Sequence, residues 1–185
     1  MNMKYSIKGQ IISVILAHLK AVFLFFIVWM IDIPVIATKI GGAIYTATST
    51  IIYFVIMYSA CYDQAKNDKK SYSPLTPKKY KGILLSVGVL VVSIFVVLCY
   101  IFVWKKASDG ENLISLWAVA VNIFYLFWFS PFVSFLGEQK GAIAILEYTI
   151  AFILPIANCF LGYLAGYKNF DIAEKMKFLV YEKKK

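Results

Sequence analysis

The sequence contains no arginine: all 19 of its basic residues are lysine. Without a guanidinium there is no planar fork for bidentate recognition of phosphate or carboxylate. The absence reads as codon bias in an AT-rich genome rather than as a selected property. Histidine occurs once, at His18, with no Cys, Asp or Glu beside it in sequence, which argues against a histidine-based metal site. The three cysteines, Cys61, Cys99 and Cys159, lie far apart within or at the edge of apolar runs. Their odd number and the lack of any C-x-x-C pair exclude a disulfide scaffold and a quinone-linked dithiol motif, and they read as small hydrophobes. There is no P-loop, so the chain does not bind ATP in that way. There is also no G-x-S-x-G and no paired-aspartate signature of a lipid transferase. No cofactor or metal is expected, and the chain is not expected to be an enzyme.

What the sequence has instead is apolar length. Of 185 residues, 61% are hydrophobic, well above the roughly 45–50% of a soluble domain. Five stretches approach or exceed the ~20 apolar residues of a membrane-crossing helix: 14–33, 40–62, 82–104, 113–136 and 142–166. In hydrocarbon every backbone polar group must be paired within its own segment, so these are helices. The chain is expected to be a single transmembrane domain over 1–185, an all-α polytopic helix bundle. A basic loop at 63–81 and a basic tail at 167–185 separate and follow the apolar runs. The first segment has the basic start of a signal peptide, Lys4 and Lys8, but its apolar run is too long, so an uncleaved helix is expected. Its bounds balance Lys20 against Asp32, and Pro34 marks its exit.

The net charge of +9 does not indicate nucleic acid, because the lysines sit between and after the apolar runs, as for contact with anionic lipid headgroups. Lysines 66, 69, 70, 78, 79 and 81 in the first loop place it in the cytoplasm, and with it the N-terminus. Five spans then put the tail, with its own six lysines, outside, against the same rule. One resolution is that 113–136, which holds Asn122 and Ser130-Pro131, re-enters rather than spans. In the tail, Asp171 and Glu174 resemble a capping box, and Ile172, Met176, Leu179 and Val180 recur on one face. A short basic amphipathic C-terminal helix on the membrane surface is expected.

The candidate intramembrane polar site comprises Glu147, Asn158, Lys20, Tyr45, Ser49 and Asn122. Glu147 is the strongest, because an acid inside an apolar helix is a functional hypothesis by default. Asn158 shares its helix face, with Pro155 between them; Tyr45 and Ser49 lie on a polar stripe of the second segment; Asn122 reads as an interhelical hydrogen bond. With five spans, Lys20 and Glu147 enter from one side and lie about 8–9 Å below the same interface. They are then expected to pair, whereas a re-entrant fourth segment forbids the pairing. Gly162-x-x-x-Gly166 is read as packing within the chain. The functional expectation is a small-solute permease component or membrane subunit of a larger transport assembly in a bacterial plasma membrane. An energising subunit or another membrane protein would be its partner. The rivals are an accessory or immunity-type protein that binds another membrane protein, and a small lipid-modifying enzyme.

Overall fold

The computed structural model describes residues 6–36, 38–108, 114–132 and 142–170. In chain order the helices are α1 (Ile7–Ile36), α2 (Lys39–Asp68), α3 (Lys81–Ser108), α4 (Ile114–Trp128) and α5 (Ala142–Tyr167), with a 3-10 turn at Ser130–Phe132. Four contain stretches long and apolar enough to cross a membrane: Ile7–Ile31, Ile40–Asp68, Lys81–Val103 and Thr149–Tyr167. The protein is an all-helical membrane bundle.

All five apolar segments are helical, and of the two courses open to 113–136, crossing or re-entry, the described residues favour the shorter. α4 has 15 residues and rises about 22 Å, short of a hydrocarbon core of about 30 Å. The chain tightens where Pro131 offers no amide for a helical bond. Phe129 N–H still bonds the Tyr125 carbonyl at 3.0 Å, and Phe132 N–H closes a shorter ring onto Phe129 at 2.7 Å.

The other helix ends carry ordinary stop and start chemistry. The Ser6 hydroxyl accepts from Gly9 N–H, and that of Thr38 from Gly41 N–H, each at 3.0 Å, satisfying amides that a first turn leaves open. α5 ends where Asn169 adopts φ 54°, with Phe170 N–H bonded to the Ala165 carbonyl at 2.8 Å, a Schellman closure. The expected loop at 63–81 is shortened, since residues 63–68 continue α2 and Lys81 begins α3. The expected amphipathic tail helix lies outside the described residues.

Contacts between the helices fix their directions. α1 runs antiparallel to α2, with Gln10 meeting Asp68, His18 meeting Tyr53, and Phe25 meeting Tyr45. α5 runs parallel to α2: Gly162 lies against the Tyr58 backbone and Gly166 against that of Tyr62. The Gly162–Gly166 pair thus brings two backbones of one chain together. α3 lies beside α1 through Gly88 on Ile11 and Ile15, and beside α5 through Gly82 on Cys159 and Phe160. α4 descends along α3, with Tyr125 on Tyr100 and Trp128 on Ser93.

One end of the bundle, called here the loop end, therefore collects the start of α1, the 69–80 loop and the close of α5. There the Lys69 ammonium bonds the Asn169 side chain at 2.8 Å. Outward faces are apolar, with Leu16, Phe23 and Ile27 on α1, Ile44, Ile51 and Val55 on α2, and Val91, Phe95 and Leu98 on α3 all exposed. In water such a surface would aggregate; in lipid it is the solvent-facing side.

Candidate functional site

Two buried polar layers cross the bundle. The first is at the loop end and centres on Asp68, the last residue of α2. Its Oδ1 accepts from Gln10 Nε2 of α1 at 2.7 Å. Its Oδ2 accepts from Lys81 Nζ of α3 at 2.5 Å and from the Tyr163 hydroxyl of α5 at 2.6 Å. One carboxylate thus joins all four spanning helices. Asp68 and Lys81 are 3% and 7% exposed, and charges so buried persist only when paired and hydrogen-bonded. One turn deeper, Gln64 Nε2 donates to Ser13 Oγ at 3.1 Å. The side-chain oxygens of Gln10 and Gln64 are buried and without a hydrogen-bond partner among the described residues.

The second layer lies mid-bundle, where α4 stops. His18 is 2% exposed; its Nδ1 pairs with the Tyr53 hydroxyl at 2.8 Å, and its ring sits 4.6 Å from that of Trp128. His18 Nε2 is buried without a hydrogen-bond partner among the described residues. Trp128 Nε1 donates to Ser93 Oγ at 2.8 Å. At the 3-10 turn, α2 supplies hydroxyls to the carbonyls of Ser130 and Pro131. The Tyr45 hydroxyl stands 2.9 Å from the Ser130 carbonyl and 3.0 Å from that of Phe25; a single O–H serves one at a time. Ser49 Oγ donates to the Pro131 carbonyl at 2.7 Å, with the Thr46 carbonyl at 3.1 Å. Ser130 Oγ donates to the Val22 carbonyl at 2.8 Å.

Of the residues singled out in the sequence, Tyr45 and Ser49 are brought together, and they hold a backbone turn rather than line an open path. Asn158 is buried on α5, with its Nδ2 unpartnered among the described residues. Asn122 is half-buried on α4, and Lys20 is exposed on α1. Glu147 belongs to α5, but its side chain lies outside the described residues. The ground for pairing it with Lys20 is corrected: α1 begins at the loop end and α5 at the opposite end, so the two are not at equal depth from one face.

Sequence reasoning missed Asp68, Lys81, Gln10, Tyr163 and His18. A signal existed: Tyr53, Met57, Cys61, Ala65 and Asp68 recur every three or four residues and all are buried. The inward stripe of α2 therefore runs straight on to Asp68.

No protein-family model, curated protein or solved structure matches this chain.

Proposed function

We propose that the protein is a non-enzymatic component of a membrane transport assembly, a small-solute permease component or its membrane subunit. In this reading it sits in a bacterial plasma membrane with the loop end in the cytoplasm. The observation that carries it is the interrupted fourth segment: α4 enters from the far end and stops mid-bundle beside His18 and Tyr53. Irregular backbone at membrane depth is confined to protein interior or cavity, and discontinuous helices meeting near the midplane are how many transporters build a solute site. A buried imidazole whose Nε2 has no hydrogen-bond partner among the described residues supports the same reading. Having no nucleotide motif, the chain would take its energy from a partner subunit or an ion gradient.

The test is reconstitution of the full chain into phosphatidylethanolamine–phosphatidylglycerol vesicles, alone and with the proteins that co-purify in mild detergent. Entrapped pH dye and a panel of small solutes report flux. Movement above that of protein-free vesicles, lowered by His18→Phe and unaffected by Asp63→Asn on the exposed face of α2, is expected. Vesicles as tight as empty ones in both preparations overturn the reading.

Lys20 favours a second reading, an accessory protein that acts by binding another membrane protein. Exposed Asp63 and Lys66, together with the Gln64–Ser13 bond, place the polar boundary near Ser13. Lys20 is seven residues further on, about 10 Å deep at 1.5 Å per residue. Its neighbours Leu16, Phe23 and Leu24 are exposed to lipid. Lysines at such depth seek an acidic partner or the interface. A photo-crosslinking residue in place of Phe23, in cells, should then capture one membrane protein of defined mass; capture of lipid alone counts against this reading.

A further inference from the structure

We propose that the loop end of the bundle carries a discrete site for one anionic phospholipid, beneath the 74–80 stretch and between the starts of α1 and α3. A cavity of about 420 Å³ lies there, within the range of small-ligand pockets. Ile7, Leu75 and Leu84 supply its apolar wall, and Thr76 and Lys78 its polar rim. Lys81 also lines it, but that ammonium is engaged by Asp68. Lys78 is exposed and in no ion pair among the described residues.

The position selects the class of ligand. The cavity lies at the level of Gln10, Asp68 and Lys81, where the bundle passes from water to hydrocarbon. Its apolar wall continues onto the lipid-facing side of α3, since Leu84 is exposed together with Ile83 and Val87. A soluble anion would find a cation there but would gain nothing from Ile7 and Leu84. A zwitterionic lipid would gain the wall but bring no net charge to Lys78. A lipid with net negative charge uses both, its phosphate at Lys78 and Thr76 and an acyl chain along Leu84. Lys8, Lys69, Lys70 and Lys79 are exposed at the same end of the bundle and raise the local concentration of anionic headgroups. Basic pockets between spanning helices on the cytoplasmic side are a recurrent form of headgroup recognition.

The test uses the full chain in a neutral maltoside detergent, with thermal midpoint and intact-complex mass as readouts. Phosphatidylglycerol should raise the midpoint and leave one bound lipid per chain; phosphatidylcholine and inorganic phosphate should do neither. Lys78→Gln, on an exposed side chain that does not threaten folding, should abolish both effects, and Leu75→Trp should do the same by filling the cavity. Lys70→Gln, outside the cavity, should preserve them. Equal stabilisation by phosphatidylcholine or by inorganic phosphate overturns the proposal. So does equal loss in Lys70→Gln and Lys78→Gln, which would mean attraction to the lysine collar as a whole. Stabilisation that survives Leu75→Trp also overturns it, since the lipid would then sit elsewhere.

Discussion

Asp68 and Lys81 each stand at the helix terminus that disfavours their charge. A carboxylate at the close of α2 meets the negative end of the helix dipole, and an ammonium at the start of α3 meets the positive end. Each is compensated by the other at 2.5 Å, so neither is well placed alone. Asp68→Asn leaves the Lys81 ammonium buried without its counter-charge, and Lys81→Met leaves the carboxylate so. Each single change should cost about 3–5 kcal/mol, the scale for breaking a buried pair. The double variant should cost clearly less than the two added, because no unpaired charge then remains. Unfolding of the purified protein in mixed micelles measures all three, and additive losses would show that the two charges are not coupled. These residues were hard to read from sequence because a lysine-rich stretch with two prolines has the composition of a solvated loop. Only continuation of the inward stripe through Cys61 and Ala65 separates Asp68 from its exposed neighbours Lys69 and Lys70. His18 was equally hidden: its partner Tyr53 is 35 positions away, and no local pattern announces such a pair.

Among the elements, close backbone approach and the interrupted helix do different work. A Cβ at Gly162 would stand 2.3 Å from the Tyr58 carbonyl oxygen. Backbone cannot step aside without parting α2 from α5, so Gly162→Ala should cost about 1–3 kcal/mol, the scale of overpacking. A Cβ at Gly88 would stand 2.6 Å from Ile11 Cγ2 and 2.8 Å from Ile15 Cδ1. These are side-chain atoms rather than backbone, but the β-branched methyl of a helical isoleucine turns little, and alanine's better helix propensity offsets only part of the crowding. Gly88→Ala should therefore cost less than Gly162→Ala without being neutral, and thermal midpoints of the two variants give the ranking. At the α4 turn, Ser49→Ala removes the donor that the buried Pro131 carbonyl has among the described residues and should cost about 1–3 kcal/mol. Ser130→Ala should cost about 1 kcal/mol or less, because the Val22 carbonyl lies within α1, where it also faces a helix amide. If the two serine variants lose equally, the hydroxyl of Ser49 is not what holds the turn. The four spans were legible because length and apolarity alone mark them. The fate of 113–136 was not, because apolar composition is the same whether a segment crosses or stops. What decides it is the match between the 3-10 carbonyls and hydroxyls on α2, 82 to 85 positions away.

For the molecule as a whole, four spans and one interrupted helix change where the charge lies. Both α1 and α3 leave the loop end, and both α2 and α5 return to it, so Lys8, the 69–80 loop and Lys168 gather at one end of the bundle. A five-span reading separates Lys168 from the loop and sets the tail's lysines against the inside bias; this topology removes that conflict. With the loop end in the cytoplasm, the starts of α2, α4 and α5 and the closes of α1 and α3 face outward, Lys39, Lys105 and Lys106 among them. These three lysines are outweighed by those of the opposite end, Lys8, Lys66, Lys69, Lys70, Lys78, Lys79, Lys81 and Lys168, which is the direction the bias requires. In a background with Cys61, Cys99 and Cys159 replaced by serine or alanine, single cysteines at Ser71, Lys168 and Lys106 report the sides. A membrane-impermeant maleimide applied to intact cells should label Lys106→Cys, and should label Ser71→Cys and Lys168→Cys only after permeabilisation. Labelling of Lys168→Cys with Ser71→Cys protected restores an odd number of crossings and removes the interrupted fourth helix. Labelling of both from outside keeps the fold and inverts it in the membrane, moving the proposed lipid site to the outer leaflet.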